Sequence, residues 1–98
     1  MTRKFEIYFD YDEEETYEYA IIELDDVVID AVDDEWRETF YDLYTPEQIA
    51  GHIAYNLFIN KISLSLMDGW ASLPDDMVSV IKSPNLNNWG ITAKELKI

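Results

Sequence analysis

The apolar residues of this chain change their spacing part-way along it, and that change limits the folds open to it. Over residues 4–10, Phe5, Ile7 and Phe9 alternate with Lys4, Glu6, Tyr8 and Asp10, the period-two pattern of a half-buried strand. Residues 16–24, with Tyr17, Tyr19, Ile21 and Ile22, predict a second strand, and Val27-Val28-Ile29-Asp30-Ala31 predicts a third. The charged run at 10–15 fits a hairpin loop between the first two, and Asp25-Asp26 a second turn. Beyond residue 33 the period turns helical. Trp36, Phe40, Leu43 and Tyr44 recur at i, i+4, i+7 and i+8 behind Asp33 or Asp34 as N-cap, although residues 38–44 also admit a strand.

The clearest helix start is Thr45-Pro46-Glu47-Gln48: an N-cap threonine, a proline in the first turn, and a glutamine placed to complete a capping box. In the helix that follows, Ile49, Ala50, Ile53, Ala54, Leu57 and Phe58 share one broad face, and Gln48, His52, Asn56 and Asn60 form a polar row at i, i+4 spacing. Residues 61–66 alternate again, so either a strand follows or the helix runs on to Asp68-Gly69. Pro74-Asp75-Asp76 predicts a short helix with Met77, Val80 and Ile81 turned inward, stopped by Ser83-Pro84-Asn85. Asn87-Asn88-Trp89-Gly90 reads as a turn with a buried aromatic, and Thr92-Ala93-Lys94-Glu95 as a second capping box. Together these features predict one acidic α+β domain over residues 1–98. An N-terminal antiparallel β-meander of about three strands packs against two to four helices.

Hydrophobic residues make up 48% of the 98, enough for a real core, so the charge is not that of a disordered tail. Twenty-one acids against seven bases give a net −14, and self-repulsion on that scale opposes folding. The excess is local. Residues 5–60 hold seventeen acids and one base, Arg37, whereas residues 61–98 hold four of each. Solubility alone needs a net charge of only roughly 2–8, and adaptation to salt would acidify the whole surface. The asymmetry predicts an acidic face.

Catalytic chemistry finds little support. His52 is the only histidine, it sits in a row of amides, and the three glycines are too dispersed for a phosphate loop. No cofactor is expected. The absence of cysteine excludes disulfides and thiolate metal sites. Asp10, Asp12 and Glu14 superficially match a calcium loop, but Glu15 stands where that loop needs glycine and Ile21 where it needs glutamate. No metal site is expected. Met1-Thr2-Arg3-Lys4 and the alternation after it lack the apolar run of a signal peptide, and no stretch is long and apolar enough to cross a bilayer. The expected location is the cytoplasm, with no membrane partner.

The candidate partner-binding residues are therefore carboxylates: Asp10, Asp12, Glu13, Glu14, Glu15 and Glu18 around the hairpin, Asp25 and Asp26 in the turn, and Asp33, Asp34, Glu35, Glu38 and Asp42 along the first helix. Glu35, Glu38 and Asp42 fall at i, i+3 and i+7, on one helical face. Seven tyrosines accompany them, a residue enriched at protein interfaces. Such a surface repels nucleic acid and attracts a basic, nucleic-acid-binding protein.

In this character the chain resembles the small phage-encoded DNA-mimic proteins, including anti-CRISPR and anti-restriction inhibitors, which are short, acidic, cysteine-poor and α+β or helical. The resemblance covers residues 5–60. It implies stoichiometric inhibition of a nuclease, either a CRISPR effector or a restriction enzyme: the acidic face occupies the partner's nucleic-acid site in the host cytoplasm. Two other readings share the composition. One is an immunity protein or antitoxin that neutralises a basic nuclease toxin, and the other a plain structural or adaptor domain.

Overall fold

The computed structural model describes residues 1–10, 17–84 and 94–97. Strands β1 (Thr2–Asp10) and β2 (Tyr17–Asp25) pair antiparallel, with Phe5 opposite Ile22, Ile7 opposite Ala20 and Tyr8 opposite Tyr19. Residues opposite one another share a face of the sheet. Phe5, Ile7, Phe9, Ala20, Ile22 and Leu24 are accordingly all buried on one side, as the alternation in β1 predicts. The other side carries Lys4, Glu6, Tyr8, Tyr19 and Glu23, among them a contact between the Tyr8 and Tyr19 rings with centroids 5.6 Å apart.

The α+β class and the antiparallel sheet hold, but the third strand lies elsewhere. Residues expected to continue the meander form helix α1 (Asp26–Asp30). Asp25 caps it, its carboxylate accepting from the Val27 N–H at 3.0 Å, while Val28 and Val32, four apart, are buried and Val27 is exposed. The β preference of a Val-Val-Ile run is about 1 kcal/mol or less per residue, and a cap together with burial at helical spacing outweighs it. The place beside β2 goes to β3 (Val78–Lys82), and β4 (Lys94–Lys97) pairs with β1, giving the order β3-β2-β1-β4.

Two further expectations are corrected by these strands. Pro74-Asp75-Asp76 opens only a 3₁₀ turn, Asp75–Met77, before the chain extends. Val80 and Ile81 point largely to solvent, 46% and 53% exposed, because the helices make their main contacts with β1, β2 and β4 and edge strand β3 lies at the margin. The second capping box likewise gives way: residues 94–97 are strand, paired through Tyr8 with Leu96. The expected turn at 87–90 lies outside the described residues.

Helix α2 (Asp34–Thr39) begins at Asp33, whose carboxylate accepts from the Trp36 N–H at 2.9 Å. It ends sooner than the stripe through Tyr44 predicts. Trp36 is buried, whereas Phe40 and Tyr44 are exposed. Helix α3 (Pro46–Phe58) starts with the full capping box, the Thr45 hydroxyl accepting from Gln48 N–H at 3.1 Å and the Gln48 side chain accepting from Thr45 N–H at 3.3 Å. Ile49, Ala50, Ile53 and Ala54 are buried, with Leu57 and Phe58 packed at the margin of the core. After α3 the chain forms neither a strand nor more α-helix, but a 3₁₀ turn at Leu64–Leu66. Gly69, at φ 97°, follows in a conformation that side chains rarely adopt.

Candidate functional site

Helices of five and six residues are far below the length that is stable alone in water, so the carboxylates on α1 and α2 depend on tertiary anchors for their placement. Two tryptophans provide them. Trp70, fully buried, donates its indole N–H to the Val28 carbonyl at 3.0 Å, satisfying a group at the end of α1. Trp36 on α2 donates to the Gly69 carbonyl at 3.0 Å, and the two indoles meet with centroids 4.9 Å apart.

Beyond Thr39 the chain wraps around Arg37. The guanidinium donates to the Leu43 carbonyl at 2.7 Å, the Asp34 carboxylate at 2.9 Å and the Val32 carbonyl at 3.4 Å, and lies 4.8 Å from the centre of the Tyr44 ring. The one base among residues 5–60 is thus engaged inside the acidic segment, organising it, and its side chain is only 19% exposed. The wrapped segment brings Asp42 back beside α2, where Asp34, Glu38 and Asp42 line one recess of about 300 Å³ together with Arg37 and Tyr44.

The expected acidic set therefore divides. Glu35, Glu38 and Asp42 do not share a helical face, because the helix stops before Asp42; the carboxylates that do converge are Asp34, Glu38 and Asp42. Asp33, Asp34, Glu35, Glu38 and Asp42 are exposed, Asp25 and Asp26 half-buried. Asp25 and Asp33 also serve as helix caps. Glu18 is half-buried and opposite Phe9, on the core side of the hairpin, so it does not belong to the outward surface. Asp10 ends β1, and Asp12, Glu13, Glu14 and Glu15 lie outside the described residues. Over residues 25–47, nine acids face one base, a local net of −8.

A second, larger recess, about 550 Å³, borders the same segment and shares Asp42 with the first. Tyr41 and Asp42 form one wall, and the polar row of α3 with Tyr55 forms the other. Asn56 Nδ2 donates to His52 Nε2 at 3.2 Å and to the His52 carbonyl at 3.0 Å, while Asn56 Oδ1 accepts from Asn60 Nδ2 at 2.9 Å. An amide nitrogen can only donate, so His52 Nε2 accepts and its ring carries the proton on Nδ1. Burial holds the His52 pKa below the usual histidine value. The Tyr41 ring lies against it, centroids 4.4 Å apart. The i, i+4 spacing of the row is visible in the sequence, but the wall that turns it into a recess comes from the non-helical path of residues 40–44.

No family model, curated protein or solved structure matches this chain. Among the described residues no group of three or more His, Asp or Glu side chains is placed to hold a metal ion, and no helix is long and apolar enough to cross a membrane.

Proposed function

We propose that the chain is a non-catalytic binding protein whose acidic surface, centred on residues 33–42, occupies the Lys- and Arg-lined nucleic-acid site of another protein. The observation that carries this reading is the convergence of Asp34, Glu38 and Asp42 on one recess, where Arg37, the one base lining it among the described residues, is held by hydrogen bonds to Asp34 and to the Leu43 carbonyl. Fixed, exposed carboxylates complement a site built for phosphates and speed encounter with it. The exposed rings of Phe40, Tyr41 and Tyr44 lie in the same stretch and supply the apolar contact that slows dissociation. Nucleases and CRISPR effectors are the first partners to test, and the mode of action is stoichiometric competition with nucleic acid.

The test is capture from host lysate at low and high salt, followed by competition between the purified partner's nucleic acid and this chain. A basic nucleic-acid enzyme should be recovered at low salt, lose binding steeply as salt rises, and release its nucleic acid when the chain is added. The double charge reversal Glu35→Lys and Glu38→Lys should weaken capture by about tenfold or more. Recovery of no such enzyme, or capture indifferent to the double reversal, would overturn the proposal.

A further inference from the structure

We propose that the recess between residues 41–42 and α3 is a docking site for an arginine side chain of the partner, with Asp42 as counter-ion and Tyr41 and Tyr55 as aromatic walls. This rests on the acidic-surface reading only in taking the partner to be basic.

The neighbouring recess shows how this segment handles a guanidinium. There Arg37 combines an aromatic ring, a carboxylate and backbone carbonyls: Tyr44, Asp34, Leu43 and Val32. The second recess offers the same kinds of group without a resident cation. Asp42 borders both, Tyr41 replaces Tyr44, and amides replace the carbonyls. Asn60 donates through its nitrogen to Asn56, and its amide oxygen is by type an acceptor. Among the described residues, no lysine or arginine lines this recess. Among the described residues, the titratable groups facing it are Asp42, Tyr41, Tyr55 and His52, and burial favours the neutral form of the imidazole.

The chemistry also ranks the guests. An anion meets Asp42 inside a strongly acidic molecule. A lysine ammonium is a compact, strongly hydrated charge, whereas a guanidinium is planar, weakly hydrated, and suited to aromatic walls and in-plane acceptors at once.

The test titrates the intact chain with N-acetyl-L-arginine amide, its lysine counterpart and its citrulline counterpart, followed by NMR of the Gln48, Asn56 and Asn60 side-chain amides. Saturable shifts at these amides are expected with the arginine compound, about threefold or more tighter than with lysine, and none with neutral citrulline. Asp42→Asn and Tyr41→Leu should each weaken arginine binding by about fivefold or more while leaving the rest of the spectrum in place. Equal, unsaturable shifts for arginine and lysine, or binding unchanged by both substitutions, would overturn the proposal. The charge reversal at Glu35 and Glu38 separates the two readings, since it weakens capture of the partner and spares binding at the Tyr41 recess. A chain that captures its partner yet shows no arginine preference refutes the docking site alone.

Discussion

The indole N–H of Trp36 donates to the carbonyl oxygen of Gly69, and the Trp36 ring fills the space that any side chain at Gly69 would need. A Cβ built on Gly69 would stand 2.5 Å from Trp36 Cζ2 and Nε1. This contact joins α2, which carries Asp34, Glu35 and Glu38, to the turn after α3, and through Trp70 to α1 as well. The acidic surface is held by burial of aromatic rings underneath it.

Gly69→Ala should therefore be among the most damaging single changes. Forcing atoms into a packed contact costs about 1–3 kcal/mol, and a left-handed conformation costs an alanine roughly 1–2 kcal/mol more. A loss of about 3 kcal/mol in denaturant unfolding is expected. Trp36→Phe, which leaves the Gly69 carbonyl without its donor, should lose at least about 1 kcal/mol.

Arg37→Met separates preorganisation from bulk charge. It makes the 25–47 segment more negative, so attraction by charge alone predicts tighter capture of a basic partner. The guanidinium also fixes Leu43 and Tyr44, and its removal frees the segment that carries Asp42. Weaker capture is expected, together with a stability loss of about 1–3 kcal/mol in chemical unfolding.

Thr45→Ala removes the hydroxyl that accepts from Gln48 N–H and should cost about 1 kcal/mol, with Thr45→Ser restoring most of it. Gln48→Ala should do more locally, because the Gln48 oxygen also accepts from Tyr44 N–H at 2.7 Å. Faster amide exchange at Tyr44 than in the parent would show the segment loosened.

Two groups give stability a defined pH dependence. Burial favours neutral His52, so its contribution is present above the ordinary histidine pKa and is lost as pH falls through the lower folded value. His52→Gln should flatten the dependence of unfolding midpoint on pH in that window. The Asp75 carboxylate, which accepts from the Ser65 N–H at 2.9 Å, is held below the usual aspartate range by hydrogen bonds from Ser65. Its contribution is present above the ordinary aspartate pKa and is lost as pH falls through the folded value. Asp75→Ala should remove that part of the acid limb, and an NMR titration should place the Asp75 midpoint below that of an aspartate that accepts no hydrogen bond.

Much of the fold is legible in short stretches. The alternation of Phe5, Ile7 and Phe9 predicts β1, and Thr45-Pro46-Glu47-Gln48 predicts the start of α3 down to the individual capping bonds. These signals succeed because period and cap are properties of neighbouring residues. Val27-Val28-Ile29 misleads because its β preference is weaker than a capping aspartate and a docked tryptophan. Residues 94–97 mislead because β4 is made by its pairing with β1, contributed from the far end of the chain. At the candidate site, the run of exposed carboxylates from Asp33 to Asp42 is visible in the sequence, whereas their grouping is not. A helical face joining Glu35, Glu38 and Asp42 presumes that the helix continues, and it ends at Thr39.

By itself, then, the sequence determined the class of fold, the core-facing side of β1, the cap of α3 and the concentration of negative charge before residue 60. Each is a matter of local spacing or simple composition. Tertiary structure alone decided which strand lies beside β2, which carboxylates meet, and that a polar helix row becomes a recess. Those outcomes turn on where Arg37, Trp36 and Trp70 find acceptors, and hydrogen bonds to Leu43, Gly69 and Val28 form only once distant segments have been folded against each other.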